Sequence, residues 1–187
     1  MIPSINQKFN KLLPRLSAEE YTALRESIMC EGCRDPLIVW CGQIVDGHNR
    51  FEICQAEGIP FGVHEMDFVD EDAAMDWIDK NQIARRNLSP DDFRLAVGRR
   101  YNRTKKAAHA GVNQYSEVVD NLSATAAETI ACESGITERT VRRAGKLAEA
   151  VEQVEQSQSE VVAQGREAII ERAKEMLKPH VAHNSGD

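Results

Sequence analysis

The chain has 187 residues, enough for one medium domain or two small ones, and its 42% hydrophobic and 28% charged content is ordinary for a soluble globular protein. Its net charge of −7 argues against a protein that coats nucleic acid indiscriminately. No apolar run approaches the roughly 18 residues needed to span a bilayer, and the N-terminus lacks the apolar core of a signal peptide. We therefore expect a cytoplasmic protein without membrane contact.

The charge is distributed unevenly along the chain. Residues 85–106 hold eight basic and two acidic side chains, a net charge of +6, so the rest of the chain carries −13. A basic strip on an acidic body could hold a polyanion locally while the remaining surface repels it. From the charge run alone, a solvated helix face is the favoured interpretation.

The N-terminal half predicts alternating helices and strands. Ser17 and Glu20 form a capping box at the start of the first helix, and Gly32 is a plausible stop. The segments "PLIVW" and "QIVDG" are separated by two residues and predict a β-hairpin. In chain order, the predicted helices cover residues 16–32, 49–58 and 70–86, and the predicted strands cover residues 36–40, 43–47 and 59–68.

The composition changes after this half. Ser89-Pro90 begins a helix over residues 89–106, residues 107–123 have little periodicity and predict a linker, and the helical pattern returns from Ala124 to about Lys178. The fold class predicted is α+β, a small mixed sheet with helices followed by an all-helical region. The corresponding domains are 1–88, a basic helical connector and linker over 89–123, and a helix-turn-helix with a helical tail over 124–187.

The first candidate site is the turn "DGHNR", where a strand hands over to a helix. The N–H groups from Gly47 to Arg50 would be the unpaired donors of a helix N-terminus, which attract anions. Gly47 allows a phosphate to approach the backbone, and Arg50 supplies a planar, permanently charged fork. His48 and Asn49 could each donate to a phosphate or position a water. A satisfied turn in which Asp46 or Asn49 caps the helix is an equally good interpretation of the spacing.

Three segments carry a resemblance to a known family. "LSAEEYTALRESIMCEGCRDPLIVW", "IVDGHNR" and "KNQIARRNLSPDDF" look like the ParB N-terminal domain, which has the ParB/sulfiredoxin fold, over about residues 10–105. The resemblance implies that Gly47 and Arg50 grip nucleotide phosphates, that the segment 32–37 lies beside the nucleotide, and that Arg85 closes over it. The nucleotide- and phosphate-binding residues that it implies are Gly32, Arg34, Gly47, His48, Asn49, Arg50, Gln82, Arg85 and Arg86. The implied cofactor is a nucleoside triphosphate, ATP or CTP, with or without Mg²⁺, and no metal ligands are assigned.

Two functions stay open at this point. The turn is similar to that of the ParB-like nuclease group, and some plasmid-encoded members of this fold act as ATPases and DNases that restrict conjugative transfer. In that interpretation His48 and Arg50 are catalytic, with His48 as the proton carrier. In the alternative, the protein is a non-enzymatic partition or regulatory factor in which nucleotide gates DNA binding. Sulfiredoxin activity is rejected, because His48 stands where that enzyme has its reactive cysteine.

The second candidate site is "AETIACESGITERTVRRAG", residues 127–145. Ala131, a glycine four residues later and an aliphatic residue six beyond that are the spacing of a helix-turn-helix, in which two helices cross closely. An ordinary helical hairpin is the weaker alternative, because the second helix is basic. The segment also resembles the helix-turn-helix that follows the ParB-like domain in phage and plasmid proteins. The predicted DNA-binding residues are Thr137, Arg139 and Thr140 at base edges, and Arg142 and Arg143 at phosphates. The expected partners are DNA, nucleotide and plasmid-transfer or partition proteins; the oligomeric state is left open.

The five cysteines suggest reduced thiols rather than a disulfide framework. Cys30 and Cys33 form a lone C-x-x-C, but a structural zinc site needs a second pair at suitable spacing, which the chain does not offer. We expect Cys30 and Cys33 to be two partly buried thiols at a helix end.

Overall fold

A computed structural model of the protein describes residues 2–84, 88–109, 117–157 and 166–178. Its contacts divide the chain into two compact units, Met1–Leu88 and Ser89–Asp187, called here the first and the second unit. The first unit contains β1 (Ser4–Ile5), α1 (Gln7–Leu12), α2 (Ala18–Glu31), β2 (Leu37–Trp40), β3 (Gln43–Asp46), α3 (His48–Glu57), β4 (Val63–Glu65) and α4 (Glu71–Ala84). The second contains α5 (Pro90–His109), α6 (Glu117–Ser134), α7 (Glu138–Ser157) and α8 (Arg166–Met176).

The four strands form one mixed sheet in the order β1-β3-β2-β4. β2 and β3 are antiparallel, whereas β1 pairs with β3 and β4 pairs with β2 in parallel. Helices accompany this sheet in the first unit, whereas the second unit has helices and no strand among its described residues. The predicted α+β class, with a small mixed sheet followed by a helical region, is confirmed.

The central hairpin turns at Cys41 and Gly42, whose φ angles are 48° and 74°. Positive φ at both central residues is typical of the type I′ turn, which matches the twist of the two strands. The register pairs Val39 with Ile44 and then Ile38 with Asp46, so β3 has a bulge at Val45. A bulge bends its strand, and this one lies two residues before Gly47, where the chain leaves the sheet.

Both faces of the sheet are covered by helices. On one face, Leu37, Val39 and Ile44 pack with Phe51 of α3. On the other face, Val45 packs with residues of α1 and α4. The two-sided burial explains why β3 carries adjacent aliphatic residues, Ile44 and Val45, instead of the alternation of a strand with one wet face. α2 then packs on α3 through Ile28 and Ile53.

The second unit is built on close contact between α5 and α7. A Cβ at Gly98 of α5 would lie 2.1 Å from the Ala144 carbonyl oxygen of α7, so the two backbones touch there. Arg100 of α5 is buried and pairs with Glu133 of α6 at 2.9 Å. α8 closes the unit by burying Ile170 in the core formed with α5 and α7.

The local helix signals are confirmed. Ser17 and Glu20 make both hydrogen bonds of the capping box, at 3.1 and 2.8 Å, and α2 ends at Gly32. α3 ends at Gly58, which is left-handed. β1 and α1 were not predicted. α6 begins at Glu117, inside the stretch 107–123 that predicts a linker.

The predicted three-part domain division stays a prediction. None of the helices in the described ranges is both long and apolar enough to cross a membrane.

Candidate functional site

Gly47 stands at the end of β3 and is the N-cap of α3, with φ 97° and ψ 21°. This left-handed conformation costs little only for glycine. A Cβ at this position would lie 2.7 Å from Leu37 Cδ2 and 2.9 Å from Arg50 Nη2. Glycine is therefore required both by the backbone angle and by the two side chains that close over it.

The N-cap residue of α3 is a glycine, so it supplies no side-chain cap of its own. The first backbone bond of the helix runs from Phe51 N–H to Gly47 O at 2.9 Å, which leaves the preceding amides without helical acceptors. The alternative interpretation, in which Asp46 or Asn49 caps the helix, stays a prediction. Ser17 and Asn6, by contrast, do cap α2 and α1 with their side chains.

Arg50 folds back over the turn, with its side chain 22% exposed. Nη2 lies 3.3 Å from Asp46 Oδ2 and 3.4 Å from the Pro36 carbonyl oxygen, both long distances for a charged donor. Nε is buried and has no hydrogen-bond partner. The guanidinium is thus held beside Gly47, at the start of α3, while part of its donor capacity is unused.

His48 is the first residue of α3 and is only 2% exposed. Both ring nitrogens are buried without a hydrogen-bond partner. Burial lowers the pKa of His48, and the nearby Asp46 carboxylate only partly opposes that shift. The imidazole is therefore neutral near pH 7 and is turned away from solvent. Its catalytic role stays a prediction.

The other residues of the predicted phosphate site are placed differently. Gln82 of α4 is 2% exposed, and its Oε1 has no partner. Arg34 is exposed and pairs with Glu31 at 2.6 Å, and Gly32 caps α2 with φ 77°. Asn49 is half-buried on α3. Arg85 and Arg86 lie outside the described residues.

One feature connects several of these residues. Among the described residues of the first unit, the buried side-chain nitrogen and oxygen atoms that lack a partner belong to His48, Arg50 and Gln82. Buried polar atoms are normally paired, so such atoms mark places where a ligand or water completes the bonding. The amides of a helix N-terminus and a guanidinium both suit a phosphate oxygen. The described residues contain no group of three or more His, Cys, Asp or Glu side chains placed to hold a metal ion.

The predicted helix-turn-helix falls on α6 and α7. Gly135 is left-handed with φ 67°, and Ile136 N–H donates to Ala131 O at 3.1 Å. Ala131 of α6 and Val141 of α7 are both buried, as the spacing requires. The two helices therefore meet through small and aliphatic side chains on either side of a glycine turn.

The start of α7 uses two of the predicted base-contacting residues for its own cap. Thr140 N–H donates to Thr137 Oγ1 at 3.3 Å, and the two hydroxyls are 2.9 Å apart. Arg142 pairs with Glu138 at 2.8 Å. DNA contacts by these residues stay predictions.

α7 presents a basic face. Arg139, Arg142, Arg143 and Lys146 are exposed and follow the i, i+3, i+4, i+7 spacing that places residues on one side of a helix. No ion pair holds Arg139 or Arg143 among the described residues. Lys146 was missed by the sequence reasoning, although the same spacing would have found it.

The basic strip of residues 85–106 is not one continuous charged surface. Within α5, Arg100 is consumed by its buried pair with Glu133, and Arg94 pairs with Asp91 at 3.1 Å. Lys106 is exposed. The charge run therefore serves the packing of the second unit as well as its surface.

No family model matches the chain, and none of the curated proteins matches it. Solved structures do. A pNOB8-like ParB N-domain matches with TM-score 0.55 and 17% identity, over 94% of this chain and 73% of that chain. The C2221 crystal form of a Pnob8-like ParB-N domain gives 0.54 and 16%, over 94% and 78%. At this identity the likeness concerns the fold, and it confirms the predicted ParB-like fold.

Proposed function

We propose that this chain is a DNA-binding protein of the ParB type in which the Gly47 turn binds the phosphates of a nucleoside triphosphate and the basic face of α7 contacts DNA. The observation that carries the proposal is the start of α3, where the N-terminal amides of a helix, a left-handed glycine and an incompletely bonded arginine meet. The ParB-like fold supports it.

The phosphate site is argued from the chemistry of its donors. Phosphate oxygens accept hydrogen bonds from the N-terminal amides of a helix, whose dipole favours negative charge there. Arg50 can approach the same point, because Gly47 has no Cβ to displace its guanidinium. A bound phosphate would replace the long contacts of Arg50 with Asp46 and Pro36 by shorter, charge-assisted ones.

Nucleotide titration tests this site. ATP and CTP, each with Mg²⁺, are titrated into the wild-type protein and into Arg50→Ala, with Arg15→Ala as a matched control from an exposed position of the first unit. Losing hydrogen bonds to a charged group costs ~1.5–3 kcal/mol, so Arg50→Ala should weaken binding about 10- to 150-fold. Equal nucleotide affinity of Arg50→Ala and Arg15→Ala would contradict the assignment of Arg50 to the phosphate site. Arg50→Lys should also bind weakly, because it keeps the charge but loses the fork.

The DNA-binding face is tested on α7. Arg139→Ala and Arg143→Ala are compared with Arg172→Ala, which removes an exposed arginine from α8. We expect both α7 variants to weaken duplex binding in fluorescence anisotropy. Arg143→Ala should do so about equally for all sequences and should reduce the salt slope by about one phosphate contact. A salt slope and affinity equal to those of Arg172→Ala would contradict the role of α7.

Binding without hydrolysis is the better supported form of this function. His48, the predicted proton carrier, is buried with a lowered pKa and would have to turn outward to meet a substrate. Supercoiled plasmid and Mg²⁺, with and without ATP or CTP, are incubated with wild type and His48→Ala. We expect no nicking and no phosphate release that depends on His48. Activity that is present in wild type and lost in His48→Ala would favour the ATPase or DNase that acts against plasmid transfer.

A further inference from the structure

Two cysteines far apart in sequence meet in the core of the first unit. Cys33 directly follows Gly32, which ends α2, and Cys54 lies on α3. Both belong to the cluster in which Ile28 packs on Ile53. Cys54 is 1% exposed, whereas Cys33 is only partly buried, and both thiols are free. The buried Cys54 thiol shares a hydrogen bond with the Cys33 thiol, which solvent can reach.

The pair sits beside the candidate phosphate site. Arg50 and Cys54 are four residues apart on α3 and so lie on the same side of that helix. The segment 33–36 contacts that side at two points, since Cys33 packs near Cys54 and the Pro36 carbonyl accepts from Arg50 at 3.4 Å. A change in the thiol pair would thus be felt in the segment that touches the guanidinium.

We propose that Cys33 and Cys54 form a redox modification site, in which a peroxide converts the two thiols into an intramolecular disulfide that fastens the segment 33–36 to α3. The Cys33 thiolate attacks one peroxide oxygen, which gives a sulfenic acid and releases the other oxygen as water or an alcohol. The Cys54 sulfur then displaces the hydroxyl from Cys33, and that hydroxyl leaves as water with the Cys54 proton. Two thiols are oxidised and one peroxide is reduced.

The environment assigns the order of these steps. Burial, followed by a hydrogen bond with Cys33, raises the pKa of Cys54 to about 11, so this thiol stays protonated near neutral pH. A protonated, buried thiol is a poor first nucleophile, whereas the more accessible Cys33 can meet a small oxidant. Once Cys33 is a sulfenic acid, Cys54 is already beside it as the resolving thiol.

Cys30 is the competing partner, because it forms a C-x-x-C with Cys33. It is exposed in the last turn of α2 and does not belong to the cluster that holds Cys33 and Cys54. The packing therefore favours Cys54 over Cys30 as the partner of Cys33.

The test uses the full chain, reduced and then treated with a small excess of hydrogen peroxide. Remaining thiols are blocked with N-ethylmaleimide, and non-reduced tryptic peptides are analysed by mass spectrometry. We expect a cross-link between peptide 26–34 and peptide 51–80 in wild type and in Cys30→Ser, and its absence in Cys33→Ser and Cys54→Ser. A link within peptide 26–34, a link to Cys41 or Cys132, or Cys33 oxidised beyond sulfenic acid without any cross-link would overturn the proposal.

A second measurement tests whether the disulfide fastens the segment 33–36 to α3. Hydrogen exchange of the backbone amides of residues 33–35 should slow on oxidation of wild type and should not change in Cys54→Ser. Unchanged exchange in the oxidised wild type would contradict the fastening of the segment. Neither measurement uses a nucleotide, so failure of the phosphate site and failure of the disulfide are distinguishable.

Discussion

Replacement of Gly47 by alanine tests the turn on which the phosphate site depends. Gly58, which ends α3, is the matched control, because it is also left-handed with φ 67° but has open space where a Cβ would stand. Left-handed backbone costs a residue with a Cβ ~1–2 kcal/mol, and this is the whole expected loss for Gly58→Ala. In Gly47→Ala, the overlap with Leu37 and Arg50 adds ~1–3 kcal/mol. The expected loss of unfolding free energy in Gly47→Ala is then about 2–5 kcal/mol.

Urea unfolding followed by tryptophan fluorescence measures the difference. Trp40 and Trp77 are the chain's two tryptophans, and both lie in the first unit against Phe68, so the signal reports that unit. The midpoint of Gly47→Ala should fall below that of Gly58→Ala by about 1 M urea. The nucleotide affinity should fall as well, because the new methyl group displaces the guanidinium.

Equal midpoints for the two variants would refute this reasoning, because they would mean that the contacts over Gly47 carry no energy. A nucleotide affinity of Gly47→Ala equal to wild type would separately refute the role of the turn.

Two further predictions concern stability. The pKa of His48 is lower in the folded protein than its ordinary value of about 6.5, so the folded state binds fewer protons below that pH, and the unfolding free energy should fall on acidification by up to ~1.4 kcal/mol per pH unit. Urea midpoints measured from pH 7.5 to 5.5 should fall with pH in wild type and in the control variant His64→Gln, which changes an exposed histidine. They should fall less in His48→Gln. Equal slopes in His48→Gln and wild type would contradict the role of His48. Gly98→Ala should destabilise the second unit more than Gly145→Ala, because the first meets the Ala144 backbone whereas the second meets side chains that can move. Thermal unfolding followed by circular dichroism compares them, and equal melting temperatures would contradict the backbone contact.

The parts of the fold that follow from local chemistry could be predicted from the sequence. The Ser17 capping box, the glycine stops and the two-residue hairpin turn each depend on residues within a few positions of one another. β1 could not be predicted, because its two residues are held by distant partners, such as Ser4 N–H bonded to Gly42 O. The start of α6 was also hidden, since residues 117–123 lack the apolar spacing that identifies a helix.

In the candidate site, too, the features that depend on adjacent residues were predictable and those that depend on packing were not. The strand, glycine and arginine of the Gly47 turn are adjacent in sequence, and their pattern predicts the strand-to-helix turn that the structure has. The burial of His48 was not predictable, because it depends on how the surrounding elements pack on the start of α3. The contact of Cys33 with Cys54 was not predictable, because it depends on the packing of α2 on α3. The expectation of two partly buried thiols is confirmed for Cys33 and wrong for Cys30, which is exposed.

The backbone contact between α5 and α7 at Gly98 also limits how these two helices can move. Helices separated by side chains can slide as those side chains change rotamer, but two main chains in contact can only travel together. Any displacement of α7 at this contact is therefore shared by α5.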